Sequence, residues 1–434
     1  MMGMKRLLIV AMMLCAVAVQ GQRGYVSIVG RVVSEGHGVP YATLQVEGTS
    51  IGVVCNDEGR YEMRVPDTYA GDSVVLRSVG YKTRRVAVAD LARHNRVRLE
   101  EERMELKEVQ VKGYRTALHL LRRAVEKIEE NYADHSSWPT FFYRDWRTLD
   151  GELYLFDEAV MRLQRKPYGS FNGKRAYAYN PTKRELASDY KTLLRHRLVA
   201  YDRKRLVATL PSAAGVDYVL EYADNEVFFD PVEAPRASYV LSDFFTPQFK
   251  YGPIEEYVDN GVGYYRLRAL GYGRISKAKV DYEYIIRKDD MAIVGITTKQ
   301  RTVTCPAPDE AWVAHWYNGM TMETDSSSWR YDVRDGRYTL THYYNRKIYT
   351  LNSKGRGHDG ERQRWERCIA WTMTDYTTER PTDGVDTIAV KPGTIVSVFG
   401  ESDYSTDFWG QYNSIVLDTL PARLLMQYLK HHKP

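Results

Sequence analysis

Between Gly30 and Arg98 short apolar runs are cut at close intervals by Gly, Pro, Asn and Asp, which leaves no room for a long helix. Ala42, Leu44 and Val46 alternate with Thr43, Gln45 and Glu47, the period of a half-buried strand. Asn56-Asp57-Glu58-Gly59 spells a turn, because Asx side chains bond nearby backbone and Gly takes a positive φ at no steric cost. Tyr61, Met63 and Val65 restart the alternation, and Pro66 ends it because it cannot donate to a ladder. Ser73 to Arg77 and Arg84 to Val88 read as two more strands around Gly80-Tyr81. About seven short strands in roughly 75 residues suit a small β-sandwich.

The order of the motifs in this stretch is specific. Gly30-Arg-Val is followed by Gly38-Val-Pro-Tyr-Ala-Thr-Leu-Gln-Val-Glu-Gly-Thr, Gly52-Val-Val-Cys-Asn-Asp-Glu-Gly-Arg-Tyr and Ser78-Val-Gly-Tyr. Residues 25 to about 100 thereby resemble a carboxypeptidase regulatory-like domain, with Cys55 where Thr is more usual. The resemblance implies a prealbumin-like β-sandwich, non-catalytic, of the kind that often precedes TonB-dependent outer-membrane transporters and related surface proteins. The roughly 330 residues that follow are too few for that transporter barrel.

Lys5 and Arg6, the apolar run Leu7 to Val19, and the polar exit at Gly21-Gln22 read as a secretory signal peptide over residues 1–22, not as a buried helix. Cys15 does not make a lipobox, since Met12-Met13-Leu14 lacks the small residues required. No later stretch holds 18 uninterrupted apolar residues, so no transmembrane segment is expected in the mature chain. The net charge of +5 falls to +3 without Lys5 and Arg6, which gives no reason to expect nucleic acid. Cys55, Cys305 and Cys368 then remain. An odd count excludes a full disulfide framework and offers no metal spacing. It leaves either a Cys305–Cys368 bridge or three separate buried thiols.

Residues 101–113 read as a charged linker carrying the short strand Val109-Gln110-Val111, and residues 114–434 as a larger second domain. From Tyr114 to Ala133 the period changes to that of a helix. Leu118, Leu121, Val125, Ile128 and Tyr132 form one apolar stripe that packs on the following sheet. Its balanced charges disfavour a membrane-surface helix. Strand signals dominate after Thr140. Asp335-Gly336 specifies a hairpin that pairs Arg334 with Arg337, Val333 with Tyr338, Tyr331 with Leu340 and Trp329 with His342. Tyr264–Ala269, Val280–Ile286 and Ala292–Val303 read as neighbouring antiparallel strands, the latter two joined at Lys288-Asp289-Asp290. Pro421 to Lys430 reads as a terminal helix with Leu424, Leu425 and Tyr428 inward. The fold class is mainly β: a sandwich, one linking amphipathic helix, and a large curved antiparallel, half-barrel-like sheet.

Phe141-Phe142-Tyr143-Arg144 after the helix, and Asp407-Phe408-Trp409-Gly410-Gln411-Tyr412-Asn413, resemble the large C-terminal part of uncharacterised exported proteins that begin with the same domain. In architecture alone, a helix on a curved sheet resembles the lipoprotein-carrier (LolA-like) half-barrel, and fold does not give function.

Chemistry is sparse in the sequence. Gly355-Arg-Gly357-His-Asp-Gly360 fits the dinucleotide fingerprint letter by letter but lies among antiparallel strand signals, so it reads as a loop. No phosphate loop, zinc helix or nucleophile elbow is present, and neither a catalytic set, a metal site nor a cofactor is expected. The weak ligand-binding candidates are His315 with Trp312 and Trp316, and Phe244, Phe245 and Phe249 beside Asp243, Glu255 and Glu256. A satisfied half-buried histidine and a core strand with charged ends are the plainer readings. His431-His432 suits adventitious metal at a frayed end. Lys183 to Arg205 holds eight basic residues, with Arg195, Arg197, Arg203, Lys204 and Arg205 as candidates for an anionic lipid, glycan or phosphate. A solvated face is the plainer reading of this run.

The leading expectation is a non-enzymatic exported protein of the periplasm or outer membrane of a Gram-negative cell envelope. Its sheet domain binds an apolar ligand or a protein partner, and the sandwich serves as adaptor. A structural or partner-docking surface protein, and a glycan or peptide hydrolase with an accessory sandwich, are the alternatives.

Overall fold

Two strand patterns in the sequence give two kinds of sheet. Strands that alternate apolar and polar residues line a small sandwich, whereas strands buried along their whole length, such as Thr140–Leu149, are covered on both sides. The computed structural model describes residues 24–49, 51–56, 58–78, 81–101, 114–168, 191–202, 230–233, 235, 238, 240–243, 245–259, 261–272, 279–306, 317–353, 362–381, 406–409, 412 and 419–431. The signal-peptide reading, most of the linker and the Gly355–Gly360 loop lie outside these residues. The chain divides into two units, one formed by residues 1–78, 83–100 and 410–416, the other by the rest.

The first unit contains β1 (Tyr25–Ser34), β2 (His37–Gly38), β3 (Thr43–Val46), β4 (Gly52–Val54), β5 (Arg60–Pro66), β6 (Ser73–Arg77), β7 (Arg84–Ala87), the short helix α1 (Val88–Arg93) and β8 (Arg96–Arg98). One sheet runs β2-β1-β5 with β8 parallel to β1, and the other runs β4-β3-β6-β7. Ala42, Leu44, Val46, Tyr61, Met63 and Val65 are all buried, as their alternation requires. The expected turn forms: Asn56 Oδ1 accepts from the Glu58 and Arg60 amides at 3.0 and 2.8 Å, and Gly59 has φ +77°.

The second unit begins with α2 (Tyr114–Glu126) and α3 (Ile128–Asn131), the expected helix broken at Lys127. It continues with β9 (Thr140–Leu149), β10 (Glu152–Leu163), β11 (Lys191–Tyr201), β12 (Lys250–Tyr251), β13 (Glu255–Asp259), β14 (Val262–Tyr272), β15 (Lys279–Arg287) and β16 (Ile293–Gln300). β17 (Val303–Pro306), β18 (Tyr317–Arg334), β19 (Arg337–Ser353) and β20 (Arg362–Asp375) complete the strands, followed by α4 (Thr406–Trp409) and α5 (Thr419–His431). The strands form one open antiparallel sheet in the order β11-β10-β9-β20-β19-β18-β16-β15-β14-β12, with β13 on β14 and β17 on β18.

Leu118, Leu121, Ile128 and Tyr132 are buried, and Tyr132 donates to the Ile293 carbonyl. This fastens the helical segment to one sheet face, where Phe141, Tyr143, Trp371, Tyr343, Trp329 and Tyr284 belong to the same core. The other face holds Trp146, Phe156 and Cys368, covered by Leu424 of α5, with Leu425 and Tyr428 packed alongside. Cys55 and Cys368 are buried, and the side chain of Cys305, on which the expected alternatives turn, lies outside the described residues.

The Asp335-Gly336 hairpin forms with both central residues at positive φ, 49° and 76°, and with Tyr331 opposite Leu340. One expected pair differs. A bulge between Arg330 and Tyr331 shifts the register by one, so Trp329 faces Tyr343 and Arg330 faces His342. The shift places the Trp329 ring 5.4 Å from that of Tyr343 within the core. Val333 at the hairpin end is exposed. The expected Ala292–Val303 strand is two strands, because β16 lies between β15 and β18 whereas β17 pairs with the outer part of β18.

Candidate functional site

Residues directly opposite in neighbouring strands point to the same face, so the registers sort the helix-covered face into transverse rows. One row is apolar: Ala159, Tyr143, Trp371, Tyr343, Trp329, Ile296, Tyr284 and Leu267. The next row reads Asp157, Asp145, Ile369, Asn345, Ser327, Thr298, Tyr282 and Ala269. The third begins Leu155, Arg147, Arg367, Lys347, Asp325 and Gln300. A polar belt thus crosses the middle of the sheet beside an aromatic one. Its residues are buried, except Lys347 and Asp325, which are half-buried.

The belt is most charged on β9, β10, β11 and β20. Arg147 Nη2 and Arg367 Nη2 donate to Asp145 Oδ2 at 2.7 and 3.1 Å, and the Tyr143 hydroxyl donates to the same oxygen at 3.1 Å. Burial alone acts to raise the Asp145 pKa, but the two guanidinium groups more than offset it and hold the carboxyl at about 2. Directly opposite, Asp157 is pushed up to about 6 by burial, with the His196 hydrogen bond pulling it part of the way back. His196 Nε2 lies 2.7 Å from Asp157 Oδ1 and ties the outer strand β11 to β10. Toward β18, Asn345 Nδ2 donates to Ser327 Oγ at 2.9 Å and to the Ser326 carbonyl at 3.2 Å. Asp157 Oδ2, Asn345 Oδ1 and the Tyr282 hydroxyl are buried with no hydrogen-bond partner among the described residues. A buried polar atom left unmatched costs about 1–3 kcal/mol.

Other charged clusters are explained by architecture. On the opposite face Glu158 takes Arg144 and Arg197, and Arg197 lies over the Trp409 ring at 4.4 Å. Arg165, Asp230 and Tyr168 form a buried knot with Tyr331, which anchors residues 230–233 to the sheet. His342 is buried and held down at about 3 by burial and by Arg330, so it stays neutral. A cleft of about 420 Å³ is lined by Arg268, Glu283, Thr297 and Lys299, which project from the face opposite the belt. No group of three metal-ligating side chains lies together among the described residues.

Of the candidates read from the sequence, His315, Trp312, Trp316, Phe244, Arg203, Lys204 and Arg205 lie outside the described residues. Phe249 is buried and stacks on Tyr282 at 4.4 Å, with half-buried Phe245 packed on the same core, so both serve packing. The acids beside them pair with cations: Asp243 with Arg122, Glu255 with Arg266 and Arg268, and Glu256 with Lys288. Arg195 is exposed on β11 with its guanidinium over Phe408, and Arg197 is engaged by Glu158 and Trp409. Sequence reading missed Asp145, Arg147, Asp157, His196, Asn345 and Arg367. One signal was available: Asp145 and Arg147 share parity with Phe141 and Tyr143, which puts charge on a face that is otherwise core.

Comparison with known families agrees with the sandwich. Residues 28–111 match the CarboxypepD_reg-like domain. A CarboxypepD_reg-like domain is thus found at residues 28–111, and the match stops before the sheet that carries the belt. The comparison with curated proteins found no match. Among solved structures, a DUF1329 family protein from Desulfovibrio piger is 12% identical, with 62% of this chain and 93% of that chain covered and a TM-score of 0.22. A protein of unknown function from Bacteroides fragilis is 8% identical, with 81% and 98% covered and a TM-score of 0.13. Scores this low carry no argument about the sheet domain. No helix among the described residues is long and apolar enough to cross a membrane.

Proposed function

We propose that the chain is a non-enzymatic, exported binding protein of a bacterial cell envelope. In this reading residues 23–100 are the adaptor, residues 101–113 the linker and residues 114–434 the binding module. The observation that carries it is the polar belt, whose side chains sit in the middle of a large sheet with hydrogen-bonding capacity to spare. The aromatic row of the same face is filled by the protein's own side chains, and Ile369, Tyr282 and Ala269 of the polar row join the same core. Asp145 is held by Arg147 and Arg367, and Asp157 by His196, an arrangement suited to holding a ligand rather than exchanging protons with solvent. The basic-then-apolar N-terminus and the CarboxypepD_reg-like domain support an envelope location.

Native mass spectrometry on the protein purified from the envelope, with extraction of released material, tests this reading. A releasable adduct is expected on the full chain. A clean mass after gentle release contradicts it and favours a structural or partner-docking role.

A second reading rests on the facing carboxylates. Asp145 at about 2 and Asp157 at about 6 are the split that lets one acid stay ionised while the other carries a proton. A glycan or peptide hydrolase would lose all turnover in Asp157→Asn. A binding protein has no turnover to lose.

A further inference from the structure

Residues 84–98 carry Arg84, Arg85, Arg93, Arg96 and Arg98 against one acid, Asp90. In the sandwich, β8 turns Val97 into the core, where it pairs with Val32, and leaves Arg96 and Arg98 exposed on the outer face. The registers then set like charges side by side. Arg96 lies opposite Arg31, and Arg31 lies opposite Arg60, one guanidinium on each of three neighbouring strands. Arg84, on the edge strand of the other sheet, donates to the Arg98 carbonyl at 2.7 Å and so joins them.

Like charges directly opposite in a sheet are destabilising, and the domain offsets them only in part. Glu58 takes Arg60 at 3.1 Å, while Arg31 donates to the Glu58 carbonyl at 2.8 Å. Arg84, Arg96 and Arg98 have no carboxylate partner among the described residues. The neighbouring Arg85 and Arg64 are accounted for: Arg85 pairs with Glu47, and Arg64 pairs with Glu62 and donates to the Tyr412 carbonyl. Two apolar positions border the arginines. Val29, two residues from Arg31 on the same face of β1, is 63% exposed, and Tyr25 farther along that face is 43% exposed.

We propose that this face of the sandwich docks on an anionic lipid surface, its guanidinium groups taking headgroup phosphates and Val29 entering the headgroup layer. The sandwich thereby has a binding task of its own, independent of whether the sheet domain holds a ligand. Guanidinium groups meet phosphate oxygens two at a time. Here they are spread over strands about 4.8 Å apart on an outward sheet face instead of converging on one point, which suits a layer of phosphates better than a single soluble anion. Val29 and Tyr25 favour a lipid layer over an acidic protein, since a bilayer sets apolar depth directly beside its phosphates and Tyr bridges the two.

Flotation of the full chain with phosphatidylglycerol–phosphatidylcholine vesicles tests the proposal, with pure phosphatidylcholine vesicles and immobilised poly-glutamate run beside them. Binding to the anionic vesicles alone among the two lipids is expected, with release in about 1 M salt. Arg96→Gln with Arg98→Gln should weaken it about twenty-five-fold, about fivefold for each arginine. Neither side chain has a partner among the described residues, so the wild-type circular dichroism spectrum is expected to persist. Val29→Ser, at an exposed position, should weaken vesicle binding about threefold and leave binding to poly-glutamate unchanged. No vesicle binding, or undiminished binding in the double arginine variant, overturns the proposal. Vesicle binding indifferent to Val29→Ser also overturns it, in favour of an acidic protein partner.

Discussion

Asp145 and Asp157 face each other on adjacent strands with the same chemical group and opposite titration. For Asp157 the folded pKa is raised from 3.8 to about 6, so the native state holds the proton more tightly than the unfolded chain. The stability it contributes is fully present below pH 3.8 and is lost as pH rises through about 6. For Asp145, lowered to about 2, the contribution is present above 3.8 and is lost as pH falls toward 2. Urea unfolding of Asp157→Asn should therefore show a flatter pH dependence than wild type, by on the order of 3 kcal/mol between about pH 4 and about pH 7. Equal slopes would contradict the assignment. Asp145→Ala removes the carboxylate shared by two buried guanidinium groups and should cost roughly 3–5 kcal/mol in the same measurement. These residues were hard to read in the sequence because their meaning comes from neighbours far along the chain. His196 lies inside a run noticed for its Arg and Lys, and its partner Asp157 is 39 residues away.

At the scale of elements, local chemistry carried most of the information. The α2 stripe, the Asn56 turn and the Asp335-Gly336 hairpin each depend on residues close in sequence, and each was legible. The bulge at Arg330/Tyr331 was not, because it is set by Trp329 meeting Tyr343 from across the hairpin. Gly336 has φ +76° and open space where a Cβ would sit, so Gly336→Ala should cost roughly 1 kcal/mol through backbone strain alone. Gly271 is the opposite case. A Cβ there would lie 2.5 Å from the Phe249 ring and 2.8 Å from that of Tyr282. Gly271→Ala should destabilise by about 1–3 kcal/mol through overpacking, and near-ultraviolet circular dichroism should register the displaced rings. A silent substitution would mean that the Phe249–Tyr282 stack yields freely.

For the whole molecule, the sequence marked the sandwich by motif and the sheet only by pattern. The sandwich was legible because its turns fall at fixed places. The sheet order, in which β20 inserts between β9 and β19, depends on pairings across more than 200 residues that no local pattern encodes. Two separate cores imply two calorimetric transitions in the full chain. Leu44→Ala, in the sandwich core, should lower one of them by the equivalent of about 2–5 kcal/mol and leave the other in place. A single transition shifted as a whole would show that the units unfold together. The central claim concerns the belt, and a crystal structure of the protein purified from its own envelope tests it most directly. Ligand density at the belt, bonded to one or more of Asp157 Oδ2, Asn345 Oδ1 and the Tyr282 hydroxyl, is the predicted result. Those three atoms matched only by protein groups or isolated waters would contradict it.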